Sequence, residues 1–311
     1  MTRLRLAIPS KGRLKEQTET YFAGAGFRLE QIGGARGYAA RLEGLPDIEV
    51  ILLSASEIAA ALMSGDIHIG VTGEDLLHET ASDLDAVIHL LAPLGFGRAR
   101  LVVAAPRSWI DVDTMADVED VAARMEAATG RRLRVATKYV RSTRRFFSAS
   151  GVSSYRIVES AGATEGAPAA GAAELIVDIT TTGATLEGNG LKILKDGLIL
   201  SSQAQLAASL RADWTSEALL GLKALLEGMD ARAAGRALQT VRFSPKLDPV
   251  ALGLDVEVVG PGEALCARGK AHDLARRLAE AGGGPVRILE TEFVYRVLNE
   301  RFERFVARRR L

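Results

Sequence analysis

The sequence predicts an α/β protein built on mainly parallel sheet and divided between two lobes. Three observations carry that expectation. Short apolar or β-branched runs alternate with longer amphipathic stretches along most of the chain. Several of these runs end in glycine-bearing polar loops, at residues 9–12, 72–75 and 178–185. Leu175, Ile176 and Val177 are apolar at consecutive positions and read as a strand buried on both faces, so Asp178 stands at its carboxyl end, where open α/β sheets bind ligands.

Taken in order, Leu4–Ile8 is the first strand, and Leu14–Ala25 is a helix closed near Gly26. Val50–Leu53 is a strand, Glu57–Met63 a helix stopped by Ser64-Gly65, and Ile67–Val71 a strand running into Thr72-Gly73-Glu74-Asp75. Leu101–Ala105 is a strand ended by Pro106. A second set follows: helix Val118–Ala127 with Thr129-Gly130 behind it, strand Leu133–Ala136, helix Ser142–Ala149, strand Tyr155–Val158, and a helix beginning over Thr164–Ala170. Gly190–Ser201 reads as hairpin or crossover strands, with Asp196-Gly197 as the turn signal.

These runs divide the chain into a first lobe over 1–97, a second over 98–179, a return to the first over 180–227, and a C-terminal extension over 228–311. In the extension, Val256–Val259 and Val286–Leu289 read as strands and Asp273–Ala281 as a helix, a small α+β region. Val294, Leu298, Phe302, Phe305 and Val306 fall on one helical face that must dock, either on its own body or on a subunit partner.

Lys+Arg and Asp+Glu both number 39 in 311 residues. A net charge of zero argues against a broad nucleic-acid or membrane surface, so any anion site is local. The start carries no apolar run of signal-peptide length, which makes the cytoplasm the expected location. Cys266 is the only cysteine, and His68, His78, His89 and His272 are scattered, so neither a disulfide nor a structural zinc site is expected.

The stretch 178–185 carries the strongest chemical signal. Thr180, Thr181, Thr182 and Thr185 supply hydroxyl donors around Gly183, whose missing side chain lets backbone amides approach an anion, and a helix starting at Ala184 adds a favourable dipole. The loop lacks a Walker A lysine and the three-glycine dinucleotide spacing. A ribose phosphate suits it: a carboxylate for the vicinal hydroxyls and a Thr-Gly turn for the 5-phosphate. A threonine-rich helix cap is the competing reading of the same residues.

Lys11 and Arg13 flank Gly12 at a helix N-terminus, where cations oppose the dipole unless an anion offsets them; two solvated surface cations are the alternative. Glu74 and Asp75 follow a buried strand and either face the same crevice or cap their helix. Thr137, Lys138, Tyr139 and Glu165 stand after strands of the middle lobe and would close over a ligand from the other side. Arg100 binds phosphate or forms a hinge salt bridge. Acids and cations in one cleft suit a sugar phosphate with magnesium. Nothing suggests a protein nucleophile, which fits displacement of pyrophosphate from a sugar C1, where the difficulty lies in leaving-group charge.

Asp178-Ile-Thr-Thr-Thr-Gly-Ala-Thr-Leu-Glu-Gly-Asn-Gly-Leu191 resembles the phosphoribosyl pyrophosphate signature of the ATP phosphoribosyltransferases, the enzymes of the first step of histidine biosynthesis. Ser10-Lys11-Gly12-Arg13-Leu14, Gly73-Glu74-Asp75, Arg100-Leu101 with Ala105-Pro106, Arg134–Tyr139 and Glu165-Gly-Ala-Pro168 are similar to further segments of that family, in order, over about residues 4–225.

The resemblance implies a two-lobed, periplasmic-binding-protein-like (type II) core and a magnesium-dependent reaction of ATP N1 with C1 of phosphoribosyl pyrophosphate, the metal held mainly through substrate phosphates. It implies that Asp178 holds the ribose hydroxyls, Thr180 to Thr185 with Gly183 and Ala184 the 5-phosphate, and Glu165 and Thr137 the opposite wall. Lys11, Gly12, Arg13, Glu74, Asp75, Arg100 and Lys138 would lie toward ATP and the phosphates.

It further implies a homo-oligomer and, in short forms of the family, a separate regulatory subunit resembling histidyl-tRNA synthetase. Long forms carry an ACT-like histidine-binding domain, whose pattern the residues after 225 do not match well. Divergent regulatory domain, oligomerisation element and docking surface all remain open for them. The rivals are a non-catalytic two-lobed protein that binds or senses a small anion, and a phosphoribosyltransferase with another base acceptor.

Overall fold

The structure, a computed structural model, describes residues 3–32, 39–160 and 162–309; the outermost ends of the expected first and last segments, 1–2 and 310–311, lie outside the described residues. The first lobe opens with β1 (Leu4–Pro9), α1 (Gly12–Gly24), β2 (Leu29–Ile32), β3 (Ala39–Leu42), β4 (Leu45–Leu53), α2 (Ala55–Ser64), β5 (Ile69–Gly73), α3 (Glu74–Thr80) and β6 (Ile88–Pro93). The second lobe is β7 (Ala99–Pro106), α4 (Met115–Thr129), β8 (Leu133–Thr137), α5 (Val140–Ala149), β9 (Tyr155–Glu159), β10 (Leu175–Thr180), α6 (Ala184–Gly188) and β11 (Leu191–Ser202). The chain then returns as β12 (Ala204–Ser209) and α7 (Ser216–Ala237).

The first sheet has the order β2-β3-β4-β1-β5-β12-β6 and the second β11-β7-β10-β8-β9. The first is parallel at its centre, where β1 pairs with β4 and β5, and the second is parallel over β10-β8-β9, as the apolar runs require. Antiparallel pairing enters through the β2–β3–β4 meander, β7 and β12. Three of the missed strands have a common cause. β2 and β3 alternate or expose their residues, and β12 is rich in alanine, so neither apolar density nor β-branching marks them.

Because β11 still belongs to the second sheet, the return to the first lobe falls at Gln203, not near residue 180. The stretch that reads as hairpin or crossover strands is one bulged strand of 12 residues leading into the crossing. Asp196 is no turn residue: its Oδ1 accepts the Met115 amide at 2.9 Å and so caps α4, while Gly197 permits β11 to press on β7, where a Cβ would come 3.0 Å from Val103 O. Similarly, the helix expected over 164–170 is only a 3-10 turn at Thr164–Gly166.

Each lobe is stabilised by its own apolar core, one around Leu6, Ile8, Val71, Leu206 and Leu222, the other around Leu101, Val103, Val135, Phe147 and Val177. The C-terminal region adds β13 (Leu238–Arg242), β14 (Glu257–Gly260), β15 (Glu263–Ala267), α8 (Ala271–Glu280) and β16 (Arg287–Glu290). Its antiparallel order, β14-β15-β13-β16, is that of a split β-α-β-β-α-β sheet in which residues 243–256 form turns instead of the first helix. That missing helix is why the segment reads as loop-rich.

Glycine 235 of α7 lets the chain from this region cross closely, since a Cβ there would run into Glu292 O. The last helix, α9, spans Glu300–Arg309, shorter than the apolar face suggested; Val294 and Leu298 lie outside it, and Leu298 is exposed. It docks on its own first lobe, with Phe305 fully buried against Trp214 at 4.6 Å between ring centroids. Among the described residues no helix is long and apolar enough to cross a membrane.

Candidate active site

β10 pairs with β7 on one side and β8 on the other, so its central residues are inaccessible and the first polar group available is Asp178. Beyond it the backbone turns through Gly183 at φ +86°, a left-handed conformation that favours glycine, into the single turn of α6. Thr180 Oγ1 accepts the Gly183 amide at 2.9 Å and Thr182 Oγ1 the Ala184 amide at 3.3 Å. These two threonines act as local caps, as the competing reading of the loop anticipated.

The amides of Thr181, Thr182 and Thr185, in contrast, have no partner among the hydrogen bonds of the described residues, and these three side chains are exposed. The loop therefore combines self-capping with several outward donors. That combination is what an anion-binding loop requires.

Asp178 is half-buried, and burial pushes its carboxyl above the usual range. The Ile179 amide, donating to Oδ1 at 2.8 Å, and the Lys138 ammonium oppose the shift, whereas nearby Glu165 adds to it. Asp178, Lys138 and Glu165 thus share one electrostatic neighbourhood although they come from the end of β10, the end of β8 and the 3-10 turn after β9. A desolvated carboxylate with few donors of its own is suited to accept the paired hydroxyls of a ribose.

Lys138 is exposed and its Nζ lies 5.2 Å from the centroid of the Tyr139 ring. Thr137 is fully buried, with Oγ1 accepting the Tyr139 amide at 2.9 Å, so its hydroxyl shapes the wall rather than facing the cleft. The first lobe contributes Lys11, Gly12 and Arg13, all exposed at the end of β1. Lys11 acts on Glu57 at the start of α2, and Leu14 packs beneath Gly97 at the interlobe crossing, which sets this cationic turn beside the hinge.

Glu74 is partly buried and accepts from Gln205 Nε2 at 2.8 Å. Asp75 differs from its sequence-based placement toward ATP and the phosphates. It is 6% exposed, and its two oxygens accept from Tyr139 Oη at 2.8 Å and Ser202 Oγ at 2.7 Å. Its chemistry in this structure is that of an interlobe acceptor.

Arg100 sits opposite Thr180 in the β7–β10 ladder. With Arg98, Thr181, Ser201 and Gln203 it lines a cleft of about 440 Å³ at the two crossings, and it makes no hinge salt bridge among the described residues. A guanidinium beside the threonine loop adds a planar donor suited to a phosphate. Sequence reasoning missed Ser202, Gln205 and Glu79; the last two contact α3 or α5 only through tertiary structure, and only the Asp75/Glu79 spacing of four hinted at a shared helix face. Among the described residues no group of three or more His, Cys, Asp or Glu side chains is placed to hold a metal ion. The donor set therefore fits a divalent cation only where substrate phosphates supply most of its ligands.

Residues 54–229 match the family model described as ATP phosphoribosyltransferase. The chain is 55% identical over 305 residues to an ATP phosphoribosyltransferase of Caulobacter vibrioides, covering 96% of this chain and 95% of that one. It is 48% identical over 315 residues to an ATP phosphoribosyltransferase of Bradyrhizobium diazoefficiens, covering 97% of each. Both alignments run through the C-terminal region. Among solved structures, a chain of the ATP phosphoribosyl transferase (HisG:HisZ) complex from Thermotoga maritima superposes with a TM-score of 0.55 at 28% identity, covering 73% of this chain and 98% of that one. A match over more than half of the chain, near-full-length identity of about one residue in two and a shared core fold show that this chain belongs to the ATP phosphoribosyltransferase family of phosphoribosyl-transferring enzymes.

Proposed function

We propose that the cleft transfers the phosphoribosyl group of phosphoribosyl pyrophosphate to N1 of ATP, releasing pyrophosphate and forming phosphoribosyl-ATP, the first step of histidine biosynthesis in the cytoplasm. The observation that carries this reading is the pairing of half-buried Asp178 with the outward amides and hydroxyls of Thr181, Thr182 and Thr185 on one loop. Asp178 accepts the 2- and 3-hydroxyls of the ribose; the loop beyond Thr180 and Gly183 receives the 5-phosphate.

The C1–N1 bond forms as the C1–oxygen bond to pyrophosphate breaks, and the electron pair of that bond leaves on pyrophosphate. Adenine N1 is itself the nucleophile, so no protein nucleophile is required. Lys11, Arg13 and Arg100 attract the polyphosphates, and Lys138 balances the carboxylates beside the reacting sugar. Magnesium, bound through the pyrophosphate and one or two of the carboxylates Asp178 and Glu165, would neutralise charge on the leaving group. The carboxylates of Asp178 and Glu165 would stabilise the developing positive charge at C1 electrostatically.

The Thermotoga neighbour is a HisG:HisZ complex. In line with it, we propose that this chain assembles as a homo-oligomer able to take a separate regulatory subunit resembling histidyl-tRNA synthetase. The test is incubation of the purified chain with ATP, phosphoribosyl pyrophosphate and magnesium, following pyrophosphate and the adduct mass, with and without histidine. An adduct at the summed mass of ATP and phosphoribosyl is expected; loss of phosphoribosyl pyrophosphate binding altogether would sink the assignment of the loop. Tight binding without adduct would point to a required second subunit.

A further inference from the structure

Helix α3 belongs to the first lobe and α5 to the second, and the two are joined by a set of contacts that the reaction itself does not use. α5 has no side-chain cap of its own and no acidic residue in its first turn. Glu79 of α3 fills that role from the other lobe, accepting the amides of Arg141 at 2.8 Å and Ser142 at 3.0 Å. Arg141 Nε also donates to Glu79 O at 3.2 Å.

One helical turn before Glu79, on the same face of α3, Asp75 accepts from the Oη of Tyr139, which is the residue preceding α5, and from Ser202 Oγ. The Asp75 amide donates to Ser202 Oγ at 3.1 Å, so the serine hydroxyl gives and receives in a closed pair. Ser202 is the last residue of β11, immediately before the chain crosses back at Gln203. Asp75, Tyr139 and Ser202 are each at least 94% buried.

Both partners of Asp75 come from the second lobe, and one stands at the pivot. Rotation of the lobes about the crossings would break these bonds inside a dry seam, where water cannot replace them. Tyr139 also carries Lys138, whose ammonium rests over its ring and acts on Asp178.

We infer that Asp75, Tyr139, Ser202 and Glu79 form an interlobe clasp that holds the cleft at a preset angle and that positions Lys138 against Asp178. These are positioning residues: they act on the substrate through Lys138 and through lobe orientation. The protein works with lobes already set, rather than with lobes that swing shut on their ligand. The kinetic part of this inference rests on the phosphoribosyl-transfer reading above; the geometric part does not.

The experiment is a pulsed dipolar distance measurement between spin labels at exposed Thr20→Cys in the first lobe and Ala170→Cys in the second, in a Cys266→Ser background diluted with unlabelled chain. One narrow distance is expected, unchanged by phosphoribosyl pyrophosphate with magnesium. Tyr139→Phe should broaden the distribution, and phosphoribosyl pyrophosphate should narrow it again. In the same variant the KM for phosphoribosyl pyrophosphate should rise about tenfold with kcat within about twofold, because only a fraction of molecules then holds the binding angle.

A distance that shifts on ligand addition in the unaltered pair, or a Tyr139→Phe distribution as narrow as the parent, overturns the clasp. Lower thermal stability with distance and KM unchanged would mean a packing role alone, and also overturns it. Should Tyr139→Phe fail to fold, Glu79→Gln, at a partly exposed position, carries the same expectations. The ligand-free distances report on the clasp even if no adduct is ever formed, so failure of the reaction assignment would be seen separately.

Discussion

The phenol of Tyr139 donates to Asp75 Oδ2 at 2.8 Å across the seam between the two lobes. Burial, followed by the charge and the hydrogen bond of Asp75, holds this phenol well above its ordinary pKa of 10.0. The phenol therefore stays a donor through the whole range in which an exposed tyrosine is neutral. With the folded value raised above the unfolded one, the stabilisation is fully present below pH 10 and is lost as pH rises from there toward the folded value. The unfolding midpoint in urea should be flat from about pH 7 to 9 and fall above about pH 10, with a shallower fall in Tyr139→Phe.

Removing the acceptor instead of the donor has a larger effect. Asp75→Ala leaves Tyr139 Oη without its acceptor in a buried seam and strips the Ser202 hydroxyl of its acceptor, keeping only the residue-75 amide that donates to it. A loss of about 2–4 kcal/mol in unfolding free energy is expected, against about 1 kcal/mol for Tyr139→Phe, and urea titration of the two variants measures the difference.

Asp178 carries the binding prediction. Its raised pKa means that it is protonated at a higher pH than an ordinary carboxyl, whose value is 3.8. Only the ionised form accepts two ribose hydroxyls, so affinity for phosphoribosyl pyrophosphate should decline as pH falls through that raised value, earlier than for an exposed aspartate. For stability the sign is opposite: the raised value favours the fold below the ordinary pKa and disfavours it as pH rises through the folded one. Asp178→Asn should accordingly weaken binding by about 10- to 100-fold at neutral pH while leaving the fold at least as stable. Isothermal titration together with thermal unfolding tests both halves.

The left-handed backbone at Gly183 gives a third handle. A Cβ there would meet only Ile193 Cδ1, at 3.6 Å, which is ordinary contact, so the penalty is conformational rather than steric. Gly183→Ala should lower stability by about 1 kcal/mol and Gly183→Val by more, each shifting the Thr181 and Thr182 amides off the phosphate. The signature is a raised KM for phosphoribosyl pyrophosphate with the KM for ATP nearly unchanged.

Much of this site could be read from the chain because its parts are local. Leu175–Val177 followed by Asp178 and a Thr-Gly loop specifies strand, turn and anion cradle within about ten residues, and each feature has a sequence mark. The clasp has no such mark. Tyr139 and Asp75 are 64 residues apart, and Ser202 is 127 residues from Asp75, so only the closed fold brings them together. For the same reason the interlobe contacts of Asp75 are not legible in the sequence: an acid after a glycine at a strand end looks alike whether it faces ligand or the other lobe. Asp196-Gly197 misled differently, since a turn dipeptide inside a bulged strand is distinguished only by the α4 amide it caps.

The C-terminal helix offers a prediction that separates its docking from the chemistry. Phe305 is fully buried, with its ring 4.6 Å from Trp214 and 5.8 Å from His89, both in the first lobe. Truncating it opens a cavity beneath α9 and should destabilise the protein by about 3–5 kcal/mol. The chain has 2 tryptophans, and the other, Trp109, packs in the second lobe. Phe305→Ala should therefore alter the emission of Trp214, which the Trp214→Phe background would abolish, while Trp109 emission stays as it was. If the region after α7 were tethered without docking, neither the emission nor the unfolding midpoint would respond. A response in both means that α9 is docked on the lobe that bears Lys11 and Arg13 and contributes to its core.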